Sequence, residues 1–172
     1  MERQIVNGIE KKSKYIVINI LFTLTVSISA IMFDKFNLYW AYYMGGWSET
    51  PDKHFEGFLV TVAFLVAWLL YGIVMGYMKK KSFVKFISFY WGISGLIFLT
   101  AGLMAPIGKF AILVFPVAIL TLAPTYGIGY FIPNSYSHLL LILAIPLSWS
   151  AGAIGFLLGY LLRKLSVSTL SD

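Results

Sequence analysis

The chain contains no cysteine, so disulfide frameworks, thiolate metal sites, cysteine nucleophiles and thiol redox relays are all excluded. Charge is nearly as scarce. Asp, Glu, Lys and Arg make up 12% of the 172 residues while 59% are hydrophobic, where soluble domains average about 25% and about 45–50%. So little polar material cannot cover the surface of a soluble domain of this length, and a mean hydropathy of +0.83 points the same way. The natural solvent of such a chain is a lipid bilayer. Catalytic signatures are missing too: there is no Walker-type phosphate loop, no His-Glu-x-x-His pair and no Gly-x-Ser-x-Gly elbow, so an ATPase, a zinc protease or a serine hydrolase finds no support.

Five stretches of the length needed to cross the hydrocarbon core in helix, roughly 20 residues, contain no charged residue at all. They run from Tyr15 to Phe33, Gly57 to Met78, Phe86 to Ala105, Phe110 to Phe131 and His138 to Leu162. Helices are expected for all of them, because backbone in lipid must satisfy its own polar groups. The fold class is therefore all-α, a polytopic membrane bundle with five transmembrane helices. It would be one domain over residues 15–165, preceded by a basic segment 1–14 and followed by a polar tail 166–172. The basic leader and the Ser27-x-Ser29 pattern imitate a cleaved signal peptide, but the apolar stretch is too long for one and the leader carries Glu2 and Glu10. A retained anchor is expected.

The net charge of +6 would prompt a nucleic-acid reading in a soluble protein, but position decides against it. Eight of the thirteen bases form two clusters, Arg3, Lys11, Lys12 and Lys14 before the first span and Lys79, Lys80, Lys81 and Lys85 after the second. That is the pattern that holds loops on the cytoplasmic side of a cell membrane, which places the N-terminus inside. Loop 34–56 carries a net −2 and the aromatics Tyr39, Trp40, Tyr42, Tyr43 and Trp47, as suits an outer loop at the headgroup layer. Thr50 followed by Pro51 reads as a helix N-cap with proline at the first helical position.

The fourth stretch is the weak point of this topology, because Pro116, Pro124, Gly127, Gly129 and Pro133 interrupt it. Five crossings leave eight bases inside against five outside, with Arg163 and Lys164 on the outer side; a re-entrant fourth stretch gives ten against three. Charge favours re-entry, giving four crossings, whereas the nearly uninterrupted apolar run Phe110–Ala123 favours crossing. Five crossings is the expectation adopted. Unwound backbone around Pro124–Gly129 would be tolerated at membrane depth only if protein buried it or it lined a watery cavity, as in transporter substrate sites.

No span contains Asp, Glu, Lys or Arg, so intramembrane proton relays are not expected and catalysis has no converging groups to draw on. Neither a catalytic residue nor a cofactor is expected. Glu49, Asp52, His54 and Glu56 are the one cluster of metal-ligand types; on a helix His54 points away from the Asp52/Glu56 face, so a solvated acidic loop and no metal is the reading. Trp68 and Trp149 are each the twelfth residue of their spans, about 16 Å in at the helical rise of about 1.5 Å per residue. With Tyr71 one turn from Trp68 and Ser148 beside Trp149, they are candidates for an aromatic pocket taking a small apolar or cationic ligand. Small residues repeat every four positions at Gly72 and Gly76 and at Ala151, Gly155 and Gly159, which lets helix backbones approach closely, within the chain or in a homo-oligomer. The expected role is non-enzymatic: a small-molecule binding or transport component, or a membrane subunit of a larger complex, with lipid as solvent and nucleic acid excluded. The alternative is an accessory or regulatory protein, such as an immunity or assembly factor, that contacts another membrane protein through its glycine stripes.

Overall fold

The computed structural model describes residues 2–33, 51–104, 120–121, 124–125, 127–128 and 138–168. Its long elements are four helices, α1 (Glu2–Phe33), α2 (Pro51–Tyr77), α3 (Ser82–Met104) and α4 (His138–Ser168), and no strand occurs among the described residues. Pro51 does open α2, where its missing N–H leaves no hydrogen bond unmade. Helix α1 begins well before its apolar stretch and takes in the basic leader; α4 continues past Leu162 into the tail.

The count of five spans is not supported. Among the described residues three helices are long and apolar enough to cross a membrane, over Lys14–Met32, Phe55–Tyr77 and Leu143–Val167, while α3 contributes a shorter apolar run, Ser82–Ile97. The aromatic-rich loop and most of the segment 110–131 lie outside the described residues.

Helix directions give the physical reason. Asn19 of α1 meets Tyr71 of α2 and Tyr15 lies under Lys80, 4.0 Å from the ring centroid to Nζ, so α1 and α2 are antiparallel. A tight turn then reverses the chain into α3, pairing Tyr71 with Phe83 and Phe64 with Trp91 at ring separations of 5.4 and 6.4 Å. Helix α4 is antiparallel to α3, with Phe156 beside Phe83 and Trp149 beside Ser88. It is parallel to α2: Gly72 faces Gly152, Gly76 faces Phe156, and Arg163 Nη1 donates a 2.9 Å hydrogen bond to the Tyr77 carbonyl where the two helices end. Five crossings would make the second and fifth stretches antiparallel. Helix α3 therefore ends, and α4 begins, at the same end of the bundle. Lys79–Lys81, Arg163 and Lys164 gather at the other end.

Burial is inverted relative to a water-soluble bundle. The inward face of α1 is Asn19, Thr23 and Ser27, all buried, while Ile16, Val17, Ile20, Leu21, Leu24 and Ile28 are exposed. Leu59, Val62, Val66, Leu70 and Val74 of α2 likewise face outward. Water would penalise that distribution; a hydrocarbon surround favours it, and the three apolar helices are consistent with a membrane location. The interior is mostly aromatic, with Trp68 at its centre touching Phe22, Phe64, Tyr90 and Trp91.

Candidate functional site

The two glycine stripes meet each other inside the chain. A Cβ at Gly72 or Gly76 would run into the backbone of Gly152 or Phe156, and one at Gly155 or Gly159 into the backbone of Leu69 or Ile73. Each helix thus presses a glycine edge against its neighbour's carbonyls, a spacing at which Cα–H···O contacts of about 0.5–1 kcal/mol each are made. Ala151 is half-buried and packs against the core cluster, and the Gly152 carbonyl faces Gly72 across the seam. This contact is the most extensive between any two elements.

The four residues expected to form an aromatic pocket are not brought together as one. Trp68 is fully buried, whereas Trp149 is 39% exposed and its indole N–H donates to Ser88 Oγ at 3.1 Å. Tyr71 stacks on Phe22 at 3.8 Å between centroids and its hydroxyl donates to Asn19 Oδ1 at 2.7 Å. Ser148 is completely buried. Equal depth along two helices fixes level but not azimuth, and only the packing sets which way each ring turns.

The Pro124–Gly127 break is held by a residue that the sequence did not single out. Thr61, 2% exposed, donates its hydroxyl to the Pro124 carbonyl at 3.0 Å and accepts the Gly127 N–H at 3.1 Å. A Cβ on Gly127 would strike the Gly57 carbonyl, so glycine is required for this approach to the first turns of α2. Protein therefore satisfies and buries the described part of the broken backbone, which removes it as an open cavity wall.

A concave site lies elsewhere, between α1 and α2. It is a groove of about 660 Å³ lined by Val26, Ala30, Leu59, Val60, Ala63 and Phe64, together with Thr25, Ser29, Ala67 and, at the N-terminal end of its α2 wall, Glu56. Along α2 it extends from Glu56 to Ala67, about 16 Å at the helical rise of about 1.5 Å per residue. Small side chains make the space: Ala63 and Ala67 sit one turn apart on α2, and Ala30 and Ser29 line the α1 wall. That four-residue spacing was a legible signal, as was the Asn19, Thr23, Ser27 series. Chemically the groove offers an apolar trough, two hydroxyls and one negative charge, with no nucleophile–base pair. The comparisons with known proteins add no relative: no family model, curated protein or solved structure matches this chain.

Proposed function

We propose that this is a non-enzymatic membrane protein that binds a small amphiphile with a cationic head, as a transport component or a membrane subunit. The observation that carries the reading is the α1/α2 groove, an apolar trough whose one charged lining residue, Glu56, stands at its end. An alkyl chain fits the walls and releases water or lipid from apolar surface, and an ammonium head meets the carboxylate. The sequence suggested a small apolar or cationic ligand at the bundle centre; this reading joins the two features in one amphiphile and moves it to the groove. The accessory reading loses the surface it relied on, because the glycine stripes are occupied by each other.

The test uses the full chain in neutral-detergent micelles with dodecyltrimethylammonium as probe, following thermal stability and tryptophan emission. Phe64 lines the groove and packs edge-on against Trp68 and Trp91, both at 6.4 Å, so an occupant should perturb those indoles. Ala63→Phe fills the trough and should abolish the response. Glu56→Gln should weaken it by up to about 5-fold, the upper end for an exposed ion pair. Equal responses of Ala63→Phe and the unmodified chain would sink the reading.

A further inference from the structure

Four buried polar groups, one from each helix, make no hydrogen bond: Ser27 Oγ of α1, Trp68 Nε1 of α2, Trp91 Nε1 of α3 and Ser148 Oγ of α4. All four side chains are at most 1% exposed. They converge on the middle of the bundle. The Trp68 and Trp91 rings are 5.7 Å apart, and Tyr90 packs against both, at 6.3 and 4.9 Å. Ser27 has the Tyr90 hydroxyl nearby, short of hydrogen-bond geometry. Ser148 stands one turn before Gly152 on the same face of α4, and a Cβ on Gly152 would lie 3.6 Å from Trp68 Cε3.

Other hydroxyls and an indole among the described residues have partners. Thr23, Ser94 and Ser166 donate to the carbonyl four residues back, the usual sink for a helical hydroxyl, and Trp149 donates to Ser88. An indole N–H has no such local sink, because it is a donor held away from its own backbone. Two indole donors and two hydroxyls left without partners in the same aromatic region of the bundle are far from the norm for buried polar groups. A buried water makes two to four hydrogen bonds to otherwise unsatisfied groups of this kind.

From this convergence we infer that the centre of the bundle is an internal water site, with Trp68 and Trp91 donating to the bound water and Ser27 and Ser148 completing its shell. The site is separate from the α1/α2 groove and does not depend on its ligand. The polar groups on either side of it along the bundle, Asn19 with Tyr71 and Thr61 with Gly127, are already paired, so the demand for water is confined to the middle.

The experiment is magnetisation transfer from water to the indole N–H groups of the full chain, labelled with ¹⁵N at tryptophan, in neutral-detergent micelles. Trp68→Phe and Trp91→Phe identify the two signals by their disappearance. The expected result is direct transfer to both indoles, lost in Ser148→Val, which replaces the hydroxyl of the shell by apolar methyl groups. Absence of transfer to both, in a sample where other indoles receive it, overturns the site. Transfer that survives Ser148→Val unchanged overturns the four-helix shell.

Discussion

At the scale of single residues, the clearest contrast is between glycines. Gly76 lies where a Cβ would collide with backbone of α4, whereas nothing comes within 4 Å of a Cβ on Gly92. Gly76→Ala must push α2 and α4 apart and should lower stability by about 1–3 kcal/mol, the range for overpacking a tight contact. Gly92→Ala meets no neighbour and should leave stability unchanged or raise it by up to about 1 kcal/mol through helix propensity. Unfolding in mixed micelles measures both, and a Gly92→Ala loss equal to that of Gly76→Ala would refute the seam. The four-residue glycine spacing was readable from sequence because helical geometry is local. Thr61 was not, because its partners Pro124 and Gly127 are more than sixty positions away, and nothing local marks a threonine for that use. Trp68 and Trp149 show the converse: their depth was legible, but one is enclosed and the other faces outward.

At the scale of elements, the turn between α2 and α3 sets the hairpin. Lys79 adopts a left-handed φ of 55°; its N–H bonds the Gly76 carbonyl and the Lys80 N–H bonds the Met75 carbonyl, each at 2.9 Å. That is a Schellman closure with lysine where glycine is usual. A non-glycine residue in this region is strained by about 1–2 kcal/mol, so Lys79→Gly should stabilise the chain by about 1 kcal/mol, seen as a higher unfolding midpoint. A drop would mean that the Lys79 side chain contributes more than its backbone strain removes. The helices themselves were legible as uncharged runs. Their extensions were not, since α1 and α4 carry helix into charged sequence where hydropathy no longer reports it. Pro146 sits inside α4 without ending it, as neighbouring helices allow in a membrane bundle.

At the scale of the whole molecule, the parallel pairing of α2 and α4 puts Lys79–Lys81, Arg163 and Lys164 at one end and Glu56 at the other. If the bundle crosses a membrane, Lys164 and Lys81 must lie on the same side and Glu56 on the opposite side. The absence of native cysteine makes this directly measurable: Lys81→Cys and Lys164→Cys should react with an impermeant maleimide from one face, and Glu56→Cys from the other. Labelling of Lys81→Cys and Lys164→Cys from opposite faces would restore the five-crossing arrangement. Two rules, apolar length and charge placement, disagree over the segment 110–131, most of which lies outside the described residues.

The parallel seam also dictates an order of events during synthesis. Gly72 and Gly152, which face each other across it, are eighty positions apart in the sequence, so at a translation rate of about 5–20 residues per second the first waits roughly 4–16 s for the second. Throughout that interval α2 and its hairpin partner present a bare glycine edge with nothing to receive it. A nascent chain arrested before His138 is therefore open to quality-control proteases and to mispairing with the glycine edge of another copy, and it is the arrival of α4 that covers that edge.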